Sequence, residues 1–367
     1  MTLSLTLTNA DVLFPDGLRR GELALANGVI VNGAAGRRVD LTGCRVMPGI
    51  VDIHGDGFEH HLAPRRGAMK DLSAGLAATE AELAANGITT AMLAQFWSWE
   101  GGMRSPAFAL RFLQALRDYR GNGTDLRVQL RFEIFLLEDY AVFEETVDRF
   151  GIGYVVFNDH LPHDALVRGK RPPRLTGQAL KSGRSPEAHL ALLRRLHCQM
   201  AAVAPEVTAL AARLAARGVR LGSHDDTSAR LRGYWHKCGV TISEFPETRA
   251  AAEAATGPVV LGAPNVVRGG SHSGNVSAAD LVADGIGDAL ASDYHYPAPR
   301  LAALMLDRWD LVSSGPAWVL GLTDRGVLLP GKRADLVVLD RDGRVGATIA
   351  GGRVTHLAGE VAHRFLG

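Results

Sequence analysis

The sequence predicts an α/β fold: a (β/α)8 TIM-like barrel carrying a small β-sandwich formed by both termini. Three observations lead there. Both ends of the chain are short strand-like runs broken by turn residues, the long middle alternates apolar strands with helical segments, and the ionisable residues of that middle gather where its strands end. The expected division is 1–47 and 326–367 for the two parts of the sandwich and 48–325 for the barrel.

At the N-terminus, Leu3 to Thr8 alternates apolar and polar residues as a half-buried strand does. Gly21 to Ala26 and Val29 to Asn32 follow, with Asp16-Gly17, Asn27-Gly28 and Asn32-Gly33 as turns. The C-terminus has the same character: Ala334 to Asp340, Val345 to Ile349 and Arg353 to Thr355 are strand-like, separated by Asp342-Gly343 and Gly351-Gly352. Two such ends around a different middle suggest a single sheet domain.

In the middle, candidate strands span 49–54, 88–95, 126–135, 153–158, 219–223, 240–244, 258–262 and 287–292. Ser73 to Ala85, rich in Ala, Leu and Glu, and Pro186 to Ala216, apolar at three- and four-residue steps, are predicted helices. Eight strands with helices between them favour a closed barrel over an open sheet.

Composition narrows the partners. Lys+Arg 40 against Asp+Glu 39 leaves a net charge of +1, so no bulk field attracts nucleic acid or an anionic membrane. Any anion selectivity must be local. Cys44, Cys198 and Cys238 show no Cys-x-x-Cys spacing and read as free thiols of a reducing compartment. No run of about 18 apolar residues marks a membrane span, and Met1 to Thr8 lacks a basic leader, so the expected location is the cytoplasm. The expected partners are a small phosphorylated substrate and, at most, further copies of the same chain.

The strand ends carry the chemistry. In His54-Gly55-Asp56 the two side chains stand at i and i+2 and share one face of an extended strand. Glu133 is carried by the third strand, His160 follows the fourth, Ser223-His224-Asp225-Asp226 ends the fifth, Ser243-Glu244 the sixth, and Asp293 the eighth. Imidazole and carboxylate donors without a nearby cysteine suit a divalent zinc, iron or manganese ion rather than a structural thiolate zinc. The expected centre has two ions, zinc foremost. His54 and Asp56 bind one, Glu133 bridges, and His160 and His224 bind the other. Asp293 touches metal and accepts the proton of an attacking water, which such a pair activates near neutral pH. Each residue has a plainer reading, such as a solvated strand end for His54 or an ion pair with Arg131 for Glu133. The convergence of six donors on strand ends favours the metal.

A second cluster runs from Gly262 to Asn275. Its glycines let backbone N–H groups approach an anion, Arg268 can grip phosphate oxygens bidentately, and Ser271, Ser273 and Asn275 add neutral donors. It reads as a phosphate cradle, and the expected substrate contacts are Arg65, Asn265, Arg268, Ser271, His272 and Asn275. His60, His61, Arg65, Arg66 and Lys70 form a basic collar after the first motif. Phe96-Trp97-Ser98-Trp99 reads as packing.

At these residues the sequence resembles the amidohydrolase superfamily. Pro48-Gly49-Ile50-Val51-Asp52-Ile53-His54 is similar to its entry into the first barrel strand, and Gly326 to Asp340 to its return into the sandwich. Within it the closer resemblance is to the α-D-ribose 1-methylphosphonate 5-triphosphate diphosphatases of the carbon-phosphorus lyase pathway. It is carried by His54-Gly55-Asp56 with Glu59 and His61-Leu62-Ala63-Pro64-Arg65, by Ser223 to Thr227, by Glu244-Phe245-Pro246, by 262–275 and by Ser292-Asp293-Tyr294. The resemblance implies a phosphoanhydride hydrolase of phosphonate catabolism: water attacks a triphosphate, diphosphate leaves, and a ribose 5-phosphate bearing the 1-phosphonate remains. The chain departs from that family's usual His-Thr-Asp-Asn-Leu-Glu, having His54-Gly55-Asp56-Gly57-Phe58-Glu59, and carries His295-Tyr296-Pro297 after Asp293-Tyr294. Two other readings stand beside it. One is a carbon–nitrogen hydrolase, a deaminase or deacetylase, which would not need so many anion donors. The other is a catalytically inactive scaffold, against which the retained His54, Asp56, His224 and Asp293 speak.

Overall fold

The computed structural model describes residues 3–63, 71–271 and 274–367. Arg65, Arg66, Lys70, His272 and Ser273 lie outside the described residues. Two compact units divide the chain: Met1–Leu93, Tyr119–Arg127 and Val260–Gly367 form one, and Ala94–Asp118 and Val128–Val259 the other.

The strands in chain order are β1 (Leu5–Phe14), β2 (Gly17–Ala26), β3 (Val29–Val31), β4 (Arg37–Asp40), β5 (Arg45–Pro48), β6 (Ile50–Gly55), β7 (Ile88–Trp97), β8 (Asp125–Glu133), β9 (Tyr154–Asn158), β10 (Arg220–His224), β11 (Ile242–Glu244), β12 (Val259–Gly262), β13 (Ala289–Ala291), β14 (Leu336–Leu339), β15 (Val345–Ala350) and β16 (Arg353–Leu357). They make two sheets.

In the first sheet the order is β16-β15-β14-β5-β1-β2-β3, with β4 on β1. The termini meet where β14 runs antiparallel to β5, Leu336 opposite Pro48 and Val338 opposite Val46. Alternating residues from both ends fill one core: Leu5, Leu7, Val12, Leu25, Val46, Leu336, Val338 and Ile349 are all buried there. The sandwich expected from both termini is therefore present. Its β4 and β5, and the closing helix Gly359–Leu366 that adds Val361 and Phe365 to the core, were not evident in the sequence pattern. That helix is too short to show a convincing period.

The second sheet runs in chain order from β6 to β13. Its described pairings are parallel, as in Gln129 opposite Tyr154 and Gly222 opposite Ile242. A parallel bridge from Gly55 to Asp293 joins the end of its first strand to the residues just past its last. This is the eight-stranded (β/α)8 barrel. Its strands read as continuous apolar runs because both faces are covered, and β7 and β9 are buried at every position.

Helix Leu72–Ala85 begins where the Asp71 side chain accepts from the Ser73 amide at 2.8 Å. The single helix expected over 186–216 is two, Pro186–His197 and Met200–Ala216. Between them ψ flattens to −15° at Cys198 and 2° at Gln199, which interrupts the regular α-helical ladder.

Candidate active site

In the first unit, β6 is buried from end to end, and Asp52 and His54 are both fully buried. Asp52 is a clasp. Its Oδ1 accepts from the Ser292 amide at 2.9 Å and its Oδ2 from the Ser292 hydroxyl at 2.6 Å. Burial pushes the Asp52 carboxyl up, and the two Ser292 bonds oppose that. The backbone completes the joint: the Asp293 amide donates to the His54 carbonyl at 2.9 Å and the Asp56 amide to the Asp293 carbonyl at 2.8 Å. One ligand atom each from His54, Asp56 and Asp293 lies within 4.8 Å of the others. Asp293 takes a left-handed φ of 53°, a conformation aspartate tolerates better than most residues.

The departures at the first motif have a steric cause. A Cβ on Gly55 would stand 2.6 Å from Asp52 Oδ2 and 2.8 Å from the Tyr296 ring, and one on Gly57 only 3.1 Å from that ring. Tyr296 is 2% exposed and occupies this space. The two glycines and the unfamiliar His295-Tyr296-Pro297 are therefore parts of one adaptation.

The segment 262–275, expected as a phosphate cradle, is partly helical. Residues Ala263–Arg268 form a short helix, ended by Gly269 with φ 78°. Asn265 is a brace within it: its Nδ2 donates to the Val276 carbonyl and its Oδ1 accepts from the Ala278 amide, both at 3.0 Å. Each end of that side chain thus makes one bond to the backbone of the segment that follows. Arg268 is exposed and donates from Nη2 to the Tyr294 hydroxyl at 2.7 Å, beside Asp293. Ser271 and Asn275 are half-buried. In the collar, His61 Nε2 lies 2.6 Å from Glu82 Oε2, so its ring is tied to a carboxylate rather than offered to an anion.

In the second unit Glu133 is fully buried at the end of β8. Its Oε2 accepts from Trp99 Nε1 at 3.1 Å and from the His160 amide at 3.2 Å, while Oε1 faces His160 Nδ1 in a short contact. Burial would raise the Glu133 carboxyl, yet the His160 charge and these bonds hold it below its ordinary value; burial would lower His160, yet Glu133 holds it up. Glu133, expected to bridge two ions, meets Trp99 and His160 in this structure. Among the described residues it joins no trio of metal donors. Its contact with Nδ1 leaves Nε2 as the His160 ring nitrogen that could hold a metal.

His160, His224 and Asp225 do form such a trio, with ligand atoms within 4.8 Å of one another. The two rings stand 6.1 Å apart, edge to face. His224 Nδ1 is 2.9 Å from Asp225 Oδ2, and its Nε2 is 3.0 Å from Arg131 Nη2. Arg131 in turn lies 3.9 Å over the Phe96 ring. Burial would raise Asp225, but His224, His160 and Arg131 hold its carboxyl down at about 2. Behind it, buried Asp226 accepts from Ser223 Oγ at 2.7 Å and from Arg232 Nη1 at 3.2 Å, fixing the chain that presents His224 and Asp225. Glu244 is held by Gln129 Nε2 and the Tyr154 hydroxyl, each at 2.6 Å.

Sequence reasoning assigned no role to Asp52, Asp225 or Tyr294. For Asp52 the signal was present, a carboxylate inside an apolar strand that burial obliges to find a partner. Asp225 gave none, because its place depends on a φ of 59° that only the folded chain sets. The two trios offer imidazole and carboxylate only, a donor set that fits a divalent cation of the zinc, manganese or iron type.

The amidohydrolase family model matches residues 280–356. Over 366 residues, 91% of this chain and 95% of the relative, the sequence is 31% identical to the alpha-D-ribose 1-methylphosphonate 5-triphosphate diphosphatase of Escherichia coli (strain K12). Solved structures share the fold at low identity. The Mycobacterium smegmatis N-acetyl-D-glucosamine-6-phosphate deacetylase is 19% identical with a TM-score of 0.56, covering 95% of this chain and 99% of that one. A zinc-bound adenosine deaminase from Xanthomonas campestris is 14% identical with a TM-score of 0.55, covering 99% and 96%. Full-length identity of this order, on a barrel whose strand ends gather two sets of imidazole and carboxylate donors, means that the chain belongs to the amidohydrolase superfamily and, within it, to the family of that diphosphatase.

Proposed function

We propose that this protein hydrolyses α-D-ribose 1-methylphosphonate 5-triphosphate to the 5-phosphate and diphosphate, as a step of phosphonate catabolism. The full-length identity to the Escherichia coli diphosphatase carries this reading, and the donor trios give it a chemistry. His54, Asp56 and Asp293 would hold one divalent ion, and His160, His224 and Asp225 a second, zinc foremost. Such ions, when bound, lower the pKa of water and offset charge on phosphoryl oxygens.

The residues of the chain do the rest. Asp293 accepts the proton of the attacking water on a carboxylate oxygen as the new P–O bond forms and a P–O–P bond breaks, releasing diphosphate. Glu133 is a positioning residue that keeps His160 Nε2 turned outward. Arg268, steadied by Tyr294, binds phosphate oxygens as a planar fork. Ser271 and Asn275 add neutral donors beside it.

Among the described residues no helix is long and apolar enough to cross a membrane. The three cysteines are free thiols, which supports a reducing compartment such as the cytoplasm.

Incubating metal-loaded protein with the ribosyl methylphosphonate triphosphate should release one diphosphate per substrate. Release of ammonia or acetate from an amine and amide panel, with the triphosphate left intact, would replace this reading with carbon–nitrogen hydrolysis.

A further inference from the structure

A cavity of about 1050 Å³ in the second unit is lined by His160, His224 and Asp225 and also by Arg168, Lys170 and Arg171. It is slightly larger than the usual range for a small-molecule site, roughly 300–1,000 Å³. Part of its wall is aromatic: Phe157 and Trp235 line it, their rings stacked at 5.6 Å with 6° between planes.

The basic part is built by a tight reversal of the chain. Helix His163–Val167 ends at Arg168, Gly169 takes a left-handed φ of 62°, and the Lys170 amide donates back to the Ala165 carbonyl at 2.8 Å. Pro172 and Pro173 follow, which restricts the backbone beyond Arg171. Arg168 is engaged by Asp164, through its Nε to the carbonyl at 3.0 Å and its Nη2 to the carboxylate at 3.3 Å. Arg171 donates to the Thr176 hydroxyl at 3.4 Å. Among the described residues no carboxylate pairs with Lys170 or Arg171. A pair of exposed cations is ordinarily a solvated surface. These two differ in lining the same cavity as a trio of metal donors.

We propose that Lys170 and Arg171 bind the phosphate chain of the substrate in this cavity, the lysine as a point charge and the arginine as a bidentate fork, with Phe157 and Trp235 taking its uncharged body. The inference deepens the function proposed above and rests on it for the triphosphate as substrate. It adds two cations to Arg268 as residues that make the site selective for a polyanion, in a chain whose net charge is only +1.

The test pairs the double variant Lys170→Ala/Arg171→Ala with a charge-keeping control, Lys170→Arg/Arg171→Lys, and uses inorganic triphosphate as the probe. By calorimetry the alanine variant should bind the probe about tenfold or more weaker than wild type, and the control within about threefold. With the ribosyl triphosphate, KM should rise by about the same tenfold while kcat changes by less than about threefold. Equal probe affinity in wild type and alanine variant, or no probe binding by wild type, overturns the inference. If wild type binds the probe through these residues yet hydrolyses no triphosphate, the cavity assignment stands and the proposed reaction fails. If wild type hydrolyses the triphosphate and the alanine variant has an unchanged KM, the cavity assignment fails and the reaction stands.

Discussion

Gly55 has no room for a side chain. Its virtual Cβ meets Asp52, Ser292 and Tyr296 all within 2.8 Å, so Thr at this position would have to displace a clasp that holds the first donor trio. Gly55→Thr should destabilise the protein by about 1–3 kcal/mol through overpacking, read from denaturant midpoints. Tyr296→Ala should cost about 3–5 kcal/mol as a cavity. The double variant should cost less than the sum by about 1 kcal/mol or more, because the ring that blocks Thr is gone. Strict additivity would mean that the two positions are not one adaptation. The same scale separates the roles of two acids that look alike in sequence. Glu133 and Asp293 both sit near strand ends, but Glu133 has its oxygens engaged by Trp99 and His160. Glu133→Gln should lower metal affinity about 10–100-fold by freeing the His160 ring, measured by competition with a chelating dye. Unchanged affinity would return Glu133 to a purely structural part.

At the scale of elements, the positions of the barrel strands were legible because a parallel strand covered on both faces reads as an apolar run bounded by turn residues. The short helix over 263–268 was not evident in the sequence for a physical reason. Pro264 in the first turn and Gly269 just past the last are helix-end signals, but the density of glycine around them carries the opposite message. Other links have no local signature. Glu80, buried on helix Leu72–Ala85, accepts from the amides of Asn122, Gly123 and Thr124 at 2.8–3.1 Å and from the Tyr119 hydroxyl at 2.8 Å. It thereby caps the turn that leads into β8. Glu80→Ala leaves those amides without their acceptor and should cost about 3 kcal/mol, seen as a lower urea midpoint. A loss below about 0.5 kcal/mol would show that water replaces the carboxylate there.

At the scale of the whole molecule, the fold class and the return of the C-terminus onto the N-terminal sheet were legible from composition and alternation alone. The candidate metal donors were legible only in part. His54, Asp56, His160, His224 and Asp293 stand at strand ends, where a barrel collects its chemistry. Asp225 comes beside His160 and His224 through a backbone conformation that sequence does not announce, and the contacts of Glu133 to Trp99 and His160 come from distant segments. Asp293→Asn should keep the circular dichroism of the native chain and lower kcat by about a hundredfold or more. Near-normal turnover would remove Asp293 as proton acceptor.

The central claim is that two imidazole and carboxylate trios each hold an ion and that these ions are needed to cut a triphosphate. Titrating metal-free protein with zinc while following diphosphate release tests it most directly. The account predicts no turnover at the start and a rise that saturates at two equivalents per chain. Full activity in the stripped protein, or saturation with no zinc retained, would contradict it.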